Sequence, residues 1–259
     1  MKTLVTVLAI LSVIAARGEN LPFQVGEKLS YRISWGPIVA GHASLEVAGI
    51  ETVDGRDCYH LICKARTSGL IDLLFHVDNT MESWLDAKEF RSLRYRQDRT
   101  EGKYVKRSDT RYDYANKRFT ITNHLGGAVT TLPLDKSLQD IVSAVYYTRT
   151  QSLRLHQPVT CTVNAGDSNR LVRIVPDERK EIWTKPLGDV PALRVEPNPT
   201  LTVVAANKGR MWIWVSDDAQ KLPLVVVSPL AIGSARFQLT EVKTADPALV
   251  QRLRVVSRK

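Results

Sequence analysis

The side chains best suited to chemistry in this 259-residue chain are five histidines, three cysteines, one acidic turn and a ladder of arginines. His42, His60, His76, His124 and His156 stand in no HExxH or H-x-H arrangement, and none has a carboxylate at ligand-like spacing. Strand-surface roles are expected of them, and neither a metal nor any other cofactor is expected. Ser216-Asp217-Asp218 pairs two carboxylates, but adjacent acids at a hairpin turn are favoured by turn geometry and normally solvated. Nucleophile elbows, phosphate-binding loops and dinucleotide-binding glycine triplets are missing from the sequence, so no catalytic residue is assigned. Cys58 and Cys63 lie five apart on one expected strand and face opposite ways. Cys161 is free to pair with either of them, or all three remain thiols.

The arginines give a positive signal. Between Arg91 and Arg118 ten Lys or Arg stand against four Asp or Glu, within a chain of formal net charge +9. If the strands carrying Arg94 and Arg96 and those carrying Arg107 and Arg111 pair as a hairpin, one sheet face holds four like charges. Such a face repels itself unless Asp98, Asp109 and Asp113, or a bound anion, offset it. These four arginines are the expected anion-binding rim. An exported protein meets lipid head groups and acidic glycans before it meets nucleic acid, so a membrane surface or amphiphile is the expected partner.

Export is read from the first eighteen residues. Lys2 supplies a positive charge, Leu4 to Ile14 is a nearly unbroken apolar run, and Ala16-Arg17-Gly18 offers small residues at a cleavage site. About 11 apolar residues are too few for a bilayer core, which needs roughly 20. Residues 1–18 are therefore expected to be a signal peptide, followed by one β-rich, soluble periplasmic domain from 19 to 259. Hydrophobic residues at 44% and charged ones at 24% are ordinary for a globular fold.

The elements that must position these groups are mostly strands. Leu29–Trp35 alternates apolar and polar positions, as do the stretches around Ala43–Val47, Tyr59–Cys63, Met81–Leu85, Leu93–Gln97, Tyr104–Tyr114 and Phe119–Thr122. Seven consecutive antiparallel strands are predicted. Ser137-x-x-Asp140 has the form of a capping box, and Leu138, Ile141, Val142 and Val145 follow helical spacing, predicting one helix over 138–150. Further strands are expected over 159–163, 171–175, 181–184, 192–195, 210–215, 222–227 and 235–239. Met211–Val215 and Leu224–Val227 are apolar at every position, so both of their faces should be covered. Helix and opposite sheet supply that cover in one reading. In the other, one face lines a cavity formed by Tyr31, Trp35, Tyr146, Trp212 and Trp214. The expected architecture is a mainly β, curved antiparallel sheet or incomplete barrel with one amphipathic helix on its concave side. Glu82–Ala87 leading into Arg91–Tyr95 is echoed by Trp212–Ala219 leading into Leu222–Val226. Two pseudo-halves, 19–135 and 151–245, or two chemically similar hairpins, both account for this echo.

Several of these segments resemble a known family. Pro22-Phe23-Gln24-Val25-Gly26-Glu27-Lys28-Leu29-Ser30-Tyr31, then Trp35-Gly36 and Ala40-Gly41, is similar to the opening of the bacterial exported family called domain of unknown function 3108. Asp140–Ser143 with Tyr146 and Arg149 resembles its central helix, and Trp214–Asp218, Leu222-Pro223 and Ile232-Gly233-Ser234 resemble its closing segment. At the level of architecture the pattern also resembles the periplasmic lipoprotein carriers, which are incomplete barrels closed by helices over an apolar cavity. The resemblance itself assigns no function; the double-sided apolar strands, the helix and the arginine rim lead to the expectation of a periplasmic non-enzymatic binding or carrier protein for an apolar or amphiphilic ligand, a lipid or lipoprotein acyl chain. An envelope interaction module that binds another protein by strand addition, and a cell-wall hydrolase, are the alternatives.

Overall fold

The computed structural model describes residues 21–134, 136–166, 168–197, 211–230 and 232–244. The expected signal peptide, and the start of the expected strand at Arg210, lie outside these residues. Fourteen strands form one sheet: β1 (Lys28–Trp35), β2 (Ile38–Val53), β3 (Arg56–Thr67), β4 (Val77–Asp86), β5 (Ser92–Glu101), β6 (Tyr104–Asp113), β7 (Arg118–Asn123), β8 (Val129–Pro133), β9 (Val159–Asn164), β10 (Asn169–Thr184), β11 (Gly188–Pro197), β12 (Trp212–Ser216), β13 (Pro223–Pro229) and β14 (Ser234–Lys243). Among the described residues two helices accompany them, α1 (Gly69–Leu74) and α2 (Ile141–Thr150). Every neighbouring strand pair is antiparallel, and the order runs β8 to β1 and then β14 to β9. The two meanders are stitched together where β1 pairs with β14.

The sheet is curled but not closed. Helix α2 packs on β3 and β4 and also on β9, although β9 ends the sheet seven places beyond β3's neighbour β2. One helix reaches both only because the sheet wraps around it. The segment before α2 straps across the gap: Ser92 donates its N–H to the carbonyl of Leu138, and Gln139 donates to Thr162 and accepts from Asn164. From β6, the Tyr112 hydroxyl reaches the Asn164 side chain at 3.2 Å.

Helix α2 starts later than predicted. Its N-cap is Asp140, not Ser137: Asp140 accepts N–H bonds from Val142 and Ser143, and the Ser143 hydroxyl accepts the N–H of Asp140. Leu138 and Gln139 belong to the strap because their backbone groups are committed to β5 and β9. Helix α1 is a further correction to the single predicted helix, since six residues are too short to show a period. Strand β8 was also missed, and the strands predicted at 171–175 and 181–184 are one long strand, β10, kinked by a register shift at Pro176.

The apolar strands are covered on both sides. Trp214 packs with Leu29, Tyr31, Ile182, Val190, Leu224 and Leu239, while its neighbour Val215 packs with Val163, Val172, Leu193 and Val195, against Ala144 and Tyr147 of α2. A third cluster joins Leu61, Leu85, Tyr95, Tyr112 and Phe119 of the first meander to Val142 and Tyr146 of α2. Full burial of each such side chain contributes roughly 1.5–3 kcal/mol, and this packing holds a 10-residue helix that would be marginal alone.

Candidate functional site: an arginine groove on β5 to β7

On β5 the even-numbered side chains share a face with the odd-numbered ones of β6, because the register sets Arg94 opposite Arg111, Arg96 opposite Asp109 and Asp98 opposite Arg107. On this face like charges thus meet once, at Arg94 and Arg111. Arg94 is held by Asp109, with Nε donating to Oδ2 at 2.8 Å, and its guanidinium lies 4.6 Å from the Trp84 ring centroid. Trp84 is positioned in turn: His60 stacks on it at 4.7 Å and an interplanar angle of 7°, and its Nε1 donates to Glu51 at 2.7 Å. The His60 imidazole sits between Glu51 and Glu82, 2.9 Å from each. Arg94 therefore ends a built stack rather than waving in solvent.

Arg107 is paired with Asp98 at 3.0 Å, so it faces the same way but is neutralised. Arg111 is held loosely, 3.7 Å from Asp54 and 4.0 Å from Asp109. Arg96 is exposed and makes no ion pair with a described residue. Arg94, Arg96 and Arg111 line a groove of about 370 Å³ together with Asp109, Thr120, Thr122 and His124. Three guanidinium groups, two hydroxyls and an imidazole face one carboxylate, a donor-rich set that suits a multi-oxygen anion. Through Arg111 and Thr120 the groove opens into a second space of about 800 Å³, where Arg56, Arg91 and Arg118 surround Leu93, Tyr112 and Tyr114.

The five apolar candidates are not gathered in one place. Tyr31 and Trp214 share a core cluster, where the Tyr31 hydroxyl donates to the carbonyl of Pro223 at 2.9 Å and Lys180 lies over the Trp214 ring at 4.4 Å. Tyr146 is fully buried in the cluster around α2, edge-on to Phe23 at 5.0 Å. Trp212 is half-buried at the start of β12. Trp35 lies at the end of β1, where its Nε1 donates to the carbonyl of Ile232 at 2.9 Å. Cys58, Cys63 and Cys161 are free thiols in the structure, and burial pushes the Cys58 and Cys161 thiols up to about 11 and that of Cys63 up to about 12. The acidic turn is occupied by its own backbone: Asp218 accepts from the N–H groups of Gln220 and Lys221, and Asp217 pairs with Arg179.

Residues distant in sequence lock together through the segments singled out above. Glu27 and Arg149 form a buried ion pair with Nη1 and Nη2 at 2.6 and 2.9 Å from the carboxylate, and Arg149 also donates to the carbonyls of Pro22 and Gln220. Tyr31 meets Pro223, and Trp35 meets Ile232 beside Gly233, whose φ of +74° suits glycine. The family model described as a protein of unknown function, DUF3108, matches residues 30–240. This chain belongs to the DUF3108 family. Glu27, just before the central strand β1, is tied to α2 through Arg149, while Tyr31 and Trp35 of β1 bond to Pro223 at the start of β13 and to Ile232 in the β13–β14 turn, which is architectural work. Among solved structures, the DUF3108 chain is similar to a β-barrel-like protein of DUF1849 from Brucella abortus, with a TM-score of 0.53 at 11% identity over 86% of this chain and 99% of that one. That likeness concerns the fold alone. A protein with a YmcC-like fold from Bacteroides fragilis also matches, with a TM-score of 0.32 at 10% identity over 86% and 98% of the two chains. No curated protein matches the sequence.

The groove's threonines, His124 and the His60–Trp84 stack escaped sequence reasoning. Their signal is cross-strand register, which alternation within one strand does not carry.

Proposed function

We propose that the protein is an exported, non-enzymatic binding or carrier protein for an amphiphile, whose anionic head group is held in the arginine groove of β5 to β7. The observation that carries this reading is the groove's lining, with Arg94, Arg96 and Arg111 around a single carboxylate, Asp109. Opposed like charges destabilise a sheet, and a bound anion relieves them while gaining charge-assisted hydrogen bonds. Thr120, Thr122 and His124 supply further hydrogen-bonding groups beside the arginines. The adjoining space, with Leu93, Tyr112 and Tyr114 in its lining, offers apolar surface for the portion of the ligand next to the head group. Export is supported by the charge, apolar run and small-residue exit of residues 1–18.

The test is titration with a short-chain phosphatidylglycerol followed by calorimetry. Binding is expected for the wild type and is expected to weaken at least about tenfold in Arg96→Ser/Arg111→Ser, since each charged hydrogen bond is worth roughly 1.5–3 kcal/mol. Both residues are exposed, so the thermal midpoint should change little. Equal binding by both proteins, or none by the wild type, removes this reading.

A further inference from the structure

Away from the groove, one rim of the curled sheet is apolar where a soluble surface would be polar. Exposure reaches 76% at Leu70, 84% at Leu73, 79% at Leu74 and 54% at Phe75, all in or beside α1, and 75% at Ile232. These residues come from different connections, but the strand directions bring those connections to the same end. The β1–β2 turn, the α1 connection between β3 and β4, the β5–β6 turn and the β13–β14 turn all lie there. Ile38, Val39 and Tyr104, also exposed, begin strands at this end. Isolated exposed leucines are ordinary, but a set contributed by several turns at one rim marks an interaction surface.

The projection is held firmly. Thr67 donates through Oγ1 to Asp72 at 2.6 Å and accepts the N–H of Val77 at 2.7 Å, and His76 closes on Asp72 at 2.8 Å. The Phe75 ring leans on Gly102 so closely that a Cβ there would stand 2.8 Å from it. Helix α1 buries none of its own residues, so its leucines serve no internal core. Trp35, bonded to Ile232, lies at the same level, and an indole with an apolar body and a polar tip suits a membrane interface.

Charge decides which partner fits. Exposed Lys103, in the β5–β6 turn, and Arg236, near the start of β14, make no ion pair with a described residue. The nearby acids are engaged: Asp72 with His76, Asp78 with Arg66, and Asp98 with Arg107. We propose that this rim inserts into an anionic lipid surface, with Leu70, Leu73, Leu74, Phe75 and Ile232 entering the boundary of the acyl region and Lys103 and Arg236 meeting phosphates. Protruding side chains backed by cations match the way peripheral proteins enter the head-group layer, which needs no complementary pocket. This docking is separate from the groove and stands whether or not the groove holds a head group.

Flotation with vesicles of phosphatidylglycerol and phosphatidylethanolamine, against phosphatidylcholine alone, tests it. The wild type is expected to float with the anionic vesicles, less so at high salt and weakly with phosphatidylcholine. Leu70→Ser/Leu73→Ser/Leu74→Ser is expected to lose at least about tenfold in vesicle partitioning with an unchanged circular dichroism melt, because the removed surface is already exposed. Arg96→Ser/Arg111→Ser is expected to float like the wild type. Flotation that survives the triple serine variant overturns the proposal, as does its loss in the groove variant alone. So does a wild-type dimer in gel filtration that becomes monomeric in the triple variant while neither protein floats, since a second copy of the chain would then be the occupant.

Discussion

At the scale of single residues, the buried Glu27–Arg149 pair carries the largest consequence. Both side chains are almost wholly enclosed, and Arg149 directs its remaining donors to two carbonyls, so each charge is compensated only by the other's presence. Glu27→Gln leaves a guanidinium in a dry interior, and breaking such a pair from one side costs about 3–5 kcal/mol. Urea denaturation should show that loss as a lower midpoint. Carboxylates elsewhere set the acid limit of stability. Burial opposes ionisation of Asp86, but the N–H groups of Glu89 and Lys88 and the Arg56 guanidinium outweigh it and hold the group below its ordinary 3.8. The two-pronged hydrogen bond from Arg194 lowers Asp177 likewise. A carboxyl depressed in the folded state stabilises above its unfolded value, and that contribution is lost as pH falls through the folded value. Melting temperature should therefore drop below about pH 4, and drop less steeply in Asp86→Asn/Asp177→Asn when melts are followed across that range. Asp140 acts with the opposite sign: its burial exceeds the help from Ser83, Ser92, Ser143 and Val142, raising its carboxyl, so its ionisation costs stability as pH climbs past 3.8.

At the scale of elements, β2 and β3 approach each other through Gly41. A Cβ added there would lie 2.0 Å from the carbonyl oxygen of Arg66, a backbone atom that cannot swing aside. Gly49 on the same strand has nothing within 4 Å of the corresponding point. Gly41→Ala should accordingly destabilise by about 1–3 kcal/mol or more, while Gly49→Ala stays within about 1 kcal/mol, as read from paired thermal melts. Helix α2 shows a related economy of position. Its buried face is Val142, Ser143, Tyr146 and Arg149, two apolar side chains and two polar ones, each polar one committed to a cap or an ion pair. The two tryptophan hairpins also share a device: Asp86 accepts from the N–H groups two and three residues on, and Asp218 does the same in the second meander.

At the scale of the whole molecule, the sheet presents two surfaces of different chemistry. The arginine groove lies across β5 to β7, and the apolar rim lies at the ends of the strands around α1. The curl that wraps the sheet around α2 is fastened by contacts between residues far apart in sequence, Tyr31 with Pro223 and Arg149 with Glu27 among them. The two meanders meet along β1 and β14, so the first strand is completed only when the last is in place. Such long-range closure makes slow folding the expectation for this topology.

Alternation of apolar and polar side chains was enough to place most strands, because a half-buried strand must repeat every second residue, and Leu29–Trp35 and Leu93–Gln97 do so cleanly. Helical spacing likewise located α2, and the double-sided apolar run at Trp212–Val215 foretold cover on both faces. The start of α2 at Asp140 was not legible, since Leu138 and Gln139 have helical spacing but spend their backbone hydrogen bonds on the strap. Nor could any local pattern disclose that Arg96 would find no ion-pair partner among the described residues while Arg107 found Asp98, or that leucines in α1 would project outward at the same rim as Ile232. Periodicity reports whether a side chain is turned toward an interior. Register and curl decide what it meets there, and those are fixed by pairings that close only when the whole sheet has formed.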